Sequence, residues 1–564
     1  MYSSRVKSLV LFTLVLATAL VGCAQPTPEV VQEQVEVTRE VEVTQVVQEE
    51  VEVTKEVVVE KKATRGGEIV VAMNHEPDTL DPHVSSSRYD VQVENAVYET
   101  LIVYDEEARE YKPHLATEWS VSDDGTEYTF KLREDVKFHD GEPFNAEAVK
   151  ANFERMMDPE TKSESAQYQI GPITEIEVVD EYTIKLYYDE PFSALLPGLV
   201  QVPVSMISPA AMEEYGQDLY NNMVGTGPFK FVEWRERDHI IIERWDEYNW
   251  APPTATHDGP AYLEKVTFTF VPEGETRLAT LLSDDSDIVM RVPEDAWPQM
   301  AGNPDYQTAS TAQPGFKPAI DLNTQKFPTD DINVRKALNY LIDKEAVIQG
   351  VYGGVYEPAY GMLSPVTPGY EPDANLYEFD PETGLALLEE AGWSDTDGDG
   401  ILDKDGEPLH LVYLTLPGVQ ETAVVVQALL KEYGISVEVM AQDNPAQQSN
   451  AQKGVHNMVW IQWGASDPSI LRQMFGCENV GAGWNFSHYC DEEAQAMMEE
   501  AEKATSAENR MAIYSDLQIK LMEDAVTVPL RVYSRLWGYD SNIENFRTMT
   551  GEYLEYYDLY LFQE

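Results

Sequence analysis

The chain has 564 residues, 43% of them hydrophobic, which is enough for two to four domains with substantial cores. Its 39 Lys and Arg residues stand against 100 Asp and Glu residues, so the formal net charge at pH 7 is −61. This excess of negative charge argues against nucleic acid and anionic membrane surfaces as partners. It fits either affinity for cationic ligands or an acidic, solvated surface outside the cytoplasm, and it does not identify a substrate.

The N-terminus has the pattern of an export signal. Arg5 and Lys7 precede an apolar stretch from Leu9 to Leu20, which is short for a membrane span and typical of a secretory signal. Leu20-Val21-Gly22-Cys23 then resembles the bacterial lipoprotein signal, in which the Cys is lipidated. We therefore expect residues 1–23 to be a lipoprotein signal peptide that anchors the chain through Cys23 to the outer face of the cell membrane, with a plain signal peptide as the alternative.

Residues 24–65 differ in composition from the rest of the chain. Val-Glu-Val-Thr occurs at 35–38, 41–44 and 51–54, and no aromatic residue interrupts the segment. Charged repeats without an apolar partner segment favour an extended or disordered stalk. Self-association of the repeat, as a coiled coil or a β-assembly, is the alternative.

The next segments mix hairpins and helices. Residues 68–73 predict a buried strand, and residues 113–147 predict a β-hairpin, a second turn and a helix capped by Asn145. Residues 173–188 predict a second hairpin. Further on we expect a strand at 319–323, a helix with Val334, Leu338 and Ile342 on its apolar face, a helix that begins at Asp380-Pro381, a β-α-β unit over 409–439, and helices at 491–505 and 508–523.

Residues 113–143 also carry a family resemblance. Their spacing resembles the signature of the family 5 extracellular solute-binding proteins, which are the peptide and nickel receptors of ABC importers. Shorter matches occur at residues 77–82, 98–101, 225–229 and 335–343. The matching signature positions are Pro113, Leu115, Ala116, Trp119, Ser122, Asp124, Gly125, Tyr128, Phe130, Leu132, Arg133, Val136, Phe138, His139, Asp140, Gly141 and Pro143.

The resemblance implies an α/β chain with the type II periplasmic-binding-protein fold, in which two lobes surround a hinge and an extra domain is inserted. We expect residues 66–100, 224–318 and 525–564 in lobe I, residues 101–223 in the inserted domain, and residues 319–524 in lobe II. The implied function is capture of a di- or oligopeptide between the lobes and delivery to an ABC permease, by a monomer without catalytic activity or a required cofactor. An oligosaccharide or a nickel complex as the ligand, and a sensor that does not transport, are the alternatives.

The resemblance also suggests which residues contact the ligand. In peptide-binding members an Asp pairs with the peptide's α-amino group, and the matching segment here is Trp460–Pro468. Depending on the alignment, that position is Asp467 or Ser466, and a Ser would favour a non-peptide ligand. The other candidates are Ser87, Arg88 and Tyr89 after the first strand, and Trp463, Trp484 and Asn485 in the second lobe.

One acidic loop resembles a calcium site. Asp395, Asp397, Asp399 and Asp403 occupy positions one, three, five and nine of an EF-hand-type loop, with Gly400 at position six. Position twelve is Gly406, where such loops have a bidentate Glu. A structural calcium ion and a plain acidic turn both fit this pattern.

The remaining candidates for chemistry are few. Cys477 and Cys490 are left once Cys23 is assigned to lipid, and in an exported protein they predict a disulfide, with free thiols or a metal pair with His488 as alternatives. No Gly-x-Ser-x-Gly, Cys-x-x-Cys, His-Glu-x-x-His or Walker sequence occurs. The sequence therefore predicts a binding protein and argues against a secreted hydrolase.

Overall fold

Three sheets of four or more strands organise the computed structural model, which describes residues 63–85, 87–549 and 553–562. The predicted signal peptide, the lipidation at Cys23 and the stalk as far as residue 62 lie outside the described residues. Within the described part, no helix has the length and apolar character needed to cross a membrane.

The first lobe is built on a seven-stranded sheet. Its central strand, Glu68–Met73, runs parallel to both neighbours, with Val71 opposite Phe268 on one side and Ile288 on the other. Ile69, Val71 and Met73 pack into one core and Ala72 into another, so the strand is apolar on both faces, as expected between two covered faces. In spatial order the strands are Tyr306–Ala312, Ser534–Asp540, Ile288–Met290, Glu68–Met73, Lys265–Phe270, His239–Arg244 and Phe229–Arg235.

Helices and two short hairpins complete the first lobe. The helices are Arg88–Glu94, Gly274–Leu282 and Trp297–Ala301. Near the C-terminus Ile543–Glu544 pairs with Tyr560–Leu561, and Thr548–Met549 pairs with Tyr553–Leu554.

The inserted domain contains the signature segment and an antiparallel four-stranded sheet. The hairpin predicted there is confirmed, and Tyr128, Phe130 and Leu132 are buried, whereas Trp119 is half-buried. The helix Ala146–Met157 is capped by Asn145, whose Oδ1 accepts from the Ala148 amide at 2.9 Å. The strands of this sheet follow the spatial order Ala116–Val121, Glu127–Leu132, Thr183–Tyr188 and Ile173–Asp180. A separate hairpin pairs Ile102–Asp105 with Glu110–Pro113. The other helices of the domain are Glu164–Ile170, Leu195–Leu199, Val202–Val204, Pro209–Tyr215 and Gly216–Asn221.

The signature segment joins the inserted domain to the first lobe. Val71 of the first sheet, Phe130 of the hairpin and Phe153 of the helix belong to one hydrophobic core. His139 in the signature turn is hydrogen-bonded to the 225–227 turn, through Nε2 to the Gly227 carbonyl at 2.9 Å and through Nδ1 from the Gly225 amide at 3.2 Å. Burial lowers the pKa of His139 to about 4, so this histidine is a neutral structural residue.

The second lobe has a five-stranded sheet and most of the helices. The predicted β-α-β unit is confirmed: His410–Thr415 and Ser436–Ala441 are parallel, and Gln420–Glu432 connects them. The sheet order is Ser436–Ala441, His410–Thr415, Met458–Gly464, Gly315–Leu322 and Thr527–Pro529, with Asp403–Lys404 and Glu407–Pro408 as a separate hairpin. The other helices are Ile332–Leu341, Lys344–Tyr352, Pro372–Ala374, Pro381–Glu390, Pro417–Val419, Asn444–Gln452, Ile470–Phe475, Cys477–Asn479, Glu492–Lys503 and Ala507–Glu523.

The predicted lobe boundaries at 318/319 and 524/525 are wrong by several residues. Gly315–Leu322 already pairs with Met458–Gly464, and Thr527–Pro529 pairs with Gly315–Leu322, so all these residues belong to the second sheet. Lys317 and Pro318 break the apolar pattern, and a bulge between Phe316 and Ala319 accommodates them. The chain crosses between the two sheets at residues 313–314 and 530–533.

Candidate functional site

The carboxyl edges of the two sheets meet at these crossings. In the first lobe the parallel strands end at Met73 and Met290. Met290 is opposite Trp537 of strand Ser534–Asp540. Ser534, where the chain re-enters this sheet, therefore lies beyond the end of the strand that finishes at Met290. In the second lobe the entering residue Gly315 is opposite Gly464, the last residue of its parallel strand. Ligands bind outside the carboxyl ends of strands in open α/β sheets. We call the space framed by these edges the interlobe cleft.

The first-lobe wall of the cleft contains the predicted residues Arg88 and Tyr89. The Tyr89 hydroxyl accepts from Asn74 Nδ2 at 2.8 Å, and its ring lies 5.0 Å from the His75 ring, so it is fixed beside the end of the central strand. Arg88 Nη1 lies 3.4 Å from Gln313 Oε1 in the first crossing. Ser87 is the N-cap of helix Arg88–Glu94, with its hydroxyl accepting from the Tyr89 amide at 3.2 Å.

A small cavity borders this wall. It has a volume of about 140 Å³ and lies between the first lobe and the inserted domain. Ser85, Ser87, Arg88, Ser165 and Gln169 give it a polar lining.

The sequence interpretation missed two arginines: Arg531 in the second crossing, and Arg291, which follows strand Ile288–Met290 and contacts that crossing at Tyr533. Arg291, half-buried and in the left-handed backbone region at φ 54°, donates from Nη2 to the Tyr533 hydroxyl at 3.3 Å. Among the described residues, no carboxylate lies within 4.0 Å of the Arg291 or Arg531 guanidinium. Arg531 is 6% exposed, stacks on the Tyr352 and Tyr356 rings at 4.5 and 4.2 Å, and has one buried nitrogen without a partner in the described part of the chain.

The second-lobe wall is aromatic. Trp463, near the end of strand Met458–Gly464, meets Trp484 edge to face with ring centroids 4.3 Å apart, and both are half-buried. Asn485 does not share this surface. Its Nδ2 donates to the Gly476 and Tyr489 carbonyls at 3.0 and 2.8 Å, so the ligand-binding role predicted for it is replaced by a structural one.

Asp467 has an internal partner. Its oxygens accept from the two terminal nitrogens of Arg510 at 2.6 and 2.7 Å, and one of them also accepts from the Ser469 amide at 2.9 Å. The side chains of Asp467 and Arg510 are 15% and 2% exposed. Burial raises the pKa of Asp467, but Arg510 offsets this and the net pKa lies below the usual value, so the carboxylate is ionised. Ser466, the alternative amine-site position, is half-buried beside it.

The inserted domain approaches the second lobe on this side of the cleft. Burial raises the pKa of the Tyr168 hydroxyl, and Ser469 and Asp467 lie close enough to influence it. The Ser193 hydroxyl donates to the Glu502 carbonyl at 3.1 Å. The cleft is therefore bordered by the two lobes, the crossings and the inserted domain.

The cysteines and the acidic loop lie outside these walls. Cys477 and Cys490 form the predicted disulfide, which closes the loop that carries Trp484. His488 contacts the Ala451 carbonyl through Nε2 at 2.8 Å.

The carboxylates of the acidic loop accept several hydrogen bonds from within the loop itself. Carboxylate oxygens of Asp395, Asp397 and Asp403 lie within 4.8 Å of one another. Asp395 accepts from two loop amides and Asp403 from the Thr396 amide and hydroxyl. Asp399 lies outside the group and accepts from the Ile401 amide at 2.8 Å. A bound calcium ion stays a prediction.

Comparisons with known proteins agree with this architecture. The Shigella boydii serotype 4 protein named glutathione-binding protein GsiB is 28% identical over 506 residues, covering 87% of this chain and 94% of that protein. The structure of NikA from Brucella suis with Fe(III)-EDTA is 26% identical with a TM-score of 0.75, covering 88% of this chain and all of that one. The Helicobacter pylori periplasmic binding protein DppA, in complex with the peptide STSA, is 25% identical with a TM-score of 0.67, covering 89% and 99% of the two chains.

The GsiB relative is named as a binding protein, and DppA is described as an ABC transporter-associated periplasmic binding protein. The family model described as bacterial extracellular solute-binding proteins, family 5 middle, matches residues 110–482, which is more than half of the chain. The two-lobe fold with an inserted domain and the site between the lobes are in keeping with that match. The chain therefore belongs to the family 5 extracellular solute-binding proteins, acts outside the cytoplasm, and is a receptor of the ABC transporter class and not an enzyme.

Proposed function

We propose that this protein captures a di- or oligopeptide in the interlobe cleft by hinge closure and delivers it to a membrane permease. The single observation that carries the proposal is the pairing of cationic residues at the crossings with an aromatic wall opposite. Arg291 and Arg531 have no carboxylate partner among the described residues, and Trp463 and Trp484 lie at the facing edge. A short peptide offers both a terminal carboxylate and side chains that pack on aromatic rings.

The charge distribution supports a carboxylate at the crossings. Acidic residues outnumber basic ones by 100 to 39 in this chain, yet neither the Arg291 nor the Arg531 guanidinium has a carboxylate within 4.0 Å among the described residues. Guanidinium groups bind carboxylates through paired, charge-assisted hydrogen bonds. Such a contact with a ligand that touches both lobes would favour the closed form.

The relatives support the same ligand class. The GsiB relative is named for binding glutathione, a small peptide with free carboxylates, and the DppA structure contains a peptide. NikA contains Fe(III)-EDTA, a metal chelate that also carries carboxylates, so a nickel complex is the second candidate. An oligosaccharide would depend on the tryptophan pair alone, and a sensor role would need no permease.

The attachment to the membrane is part of the proposal. A signal peptide with lipid at Cys23 and a stalk over residues 24–65 would hold a monomeric receptor close to its permease. Mass spectrometry of the exported protein tests this, with a diacylglycerol-modified Cys23 as the new N-terminus expected and cleavage elsewhere without lipid as the contrary result.

Calorimetry with matched peptides tests the carboxylate contact. A tripeptide with a free C-terminus should bind at least tenfold more tightly than its C-terminal amide, and Arg291→Gln should remove most of that difference because it deletes the charge-assisted contact. Arg235→Gln is the matched control, since Arg235 is 63% exposed on the first lobe. Equal affinity for acid and amide in the unmodified protein would contradict the proposal.

A further inference from the structure

A second cavity lies at the junction of the first lobe, the inserted domain and the C-terminal hairpin. Its volume is about 500 Å³, larger than the 140 Å³ cavity beside Arg88. The described residues that line it come from 95–107, 114, 200–205, 228–254, 547–549 and 555–557, and none of them belongs to the second lobe. Closure of the interlobe cleft is therefore not needed to form it.

The charge of this junction cavity is opposite to that of the crossings. Glu99, Asp105, Glu107 and Glu555 line it, and the cation among its described lining residues is Arg547. Arg547 is already paired with Asp558 and lies 3.2 Å from Glu555, so its charge is balanced within the protein. The cavity therefore has a surplus of negative charge.

The cavity also has aromatic walls. Five tyrosines line it: Tyr98, Tyr104, Tyr248, Tyr556 and Tyr557. Tyr248 is oriented by its own hydrogen bond to Glu99 at 2.6 Å, and Glu99 also accepts from Thr226 and Trp250 at 2.7 and 3.0 Å. Fixed tyrosine rings beside carboxylates are a good environment for an organic cation.

Buried polar atoms in the wall lack partners within the described residues. His114 is 6% exposed; its Nε2 lies 3.2 Å from Glu99 without hydrogen-bond geometry, and its Nδ1 has no partner. Ser205 is fully buried, and its hydroxyl also has no partner, nor has Asn95 Oδ1. These atoms have almost no accessible surface, so they lie behind the cavity lining and do not contact an occupant directly.

We propose that the junction cavity is a second binding site, independent of the interlobe cleft, for a small organic amine. The ammonium group would lie between the carboxylates and the tyrosine rings. Burial raises the pKa of the Glu555 carboxyl to about 7, with Arg547 acting in the opposite direction, so a bound cation would also favour ionised Glu555.

Calorimetry on the full exported chain tests this site with spermidine as the probe and succinate as the anionic control. Spermidine should bind in a one-to-one complex at physiological salt, and succinate should not bind in the junction cavity. Thr254→Trp, which places a large ring at a half-buried lining position, should weaken spermidine binding at least tenfold, and Glu107→Lys at the exposed rim at least threefold. Circular dichroism verifies that both variants are folded.

A cleft variant separates this site from the peptide site. Trp463→Ala should leave spermidine affinity unchanged while weakening peptide binding. The proposal is overturned if spermidine does not bind at millimolar concentration, if its binding is lost in Trp463→Ala, or if it survives Thr254→Trp and Glu107→Lys unchanged, as general attraction to an acidic surface would. None of these results depends on whether the cleft ligand is a peptide.

Discussion

Replacing Asp467 by Asn should destabilise the second lobe more than it affects ligand binding. The substitution leaves the Arg510 guanidinium, which is 2% exposed, without its carboxylate partner. Breaking a buried ion pair from one side costs about 3–5 kcal/mol, and the 15% exposure of Asp467 places the expected loss near the lower end, at about 3 kcal/mol. Denaturant unfolding followed by tryptophan fluorescence and circular dichroism measures this loss.

A double variant provides the internal control. Asp467→Leu combined with Arg510→Met removes both charges and keeps apolar volume beside Tyr514, on which Arg510 stacks at 5.1 Å. Its loss of stability should be smaller than that of Asp467→Asn, because no buried charge is left unpaired. The reasoning is refuted if Asp467→Asn unfolds within about 0.5 kcal/mol of the unmodified protein and at the same time abolishes peptide binding. That outcome would make Asp467 the partner of a ligand amine.

The remaining predictions concern the cleft, the buried carboxyl of the second sheet and the disulfide. Trp463→Ala should weaken peptide binding at least tenfold in calorimetry, because it removes one ring of the aromatic wall; an unchanged Kd would place the ligand elsewhere. Burial raises the pKa of Asp321 from 3.8 to about 8, so the native state holds a proton that the unfolded chain loses, and stability should fall as pH rises from about 4 to about 8. Asp321→Asn should flatten that part of the pH profile of urea unfolding, and an unaltered slope would be the contrary result. Reduction of Cys477–Cys490 should lower the free energy of unfolding by about 3 kcal/mol in the chain-entropy model, with the Cys477→Ser, Cys490→Ser variant insensitive to reductant.

The elements with a regular apolar period could be predicted from the sequence. Tyr128, Phe130 and Leu132 alternate with polar residues, and they are the buried face of a strand. Asn145 and Asp380 cap helices as predicted, because a cap depends on residues three positions away at most. The signature segment identified the family for the same reason, because all its matching positions lie close together in the sequence, within residues 113–143.

The contacts that define the cleft could not be predicted in that way. Arg291 meets Tyr533 across 242 residues, and Asp467 meets Arg510 across 43. Nothing in the neighbourhood of these residues along the chain indicates their partners. The resemblance to the family's amine-binding segment made Asp467 a candidate, with Ser466 as the alternative, and could not reveal the ion pair with Arg510. Asn485 was a cleft candidate from the second lobe, but its side chain bonds the Gly476 and Tyr489 carbonyls, contacts that its sequence position does not indicate.

Native mass spectrometry of the exported protein, purified without refolding, shows whether the interlobe cleft holds peptides. Denaturation should release short peptides with free C-terminal carboxylates, and Arg291→Gln protein should carry markedly less of them than Arg235→Gln protein. Release of sugars from both variants in equal amounts, with no peptide, would show that the cleft takes a different ligand.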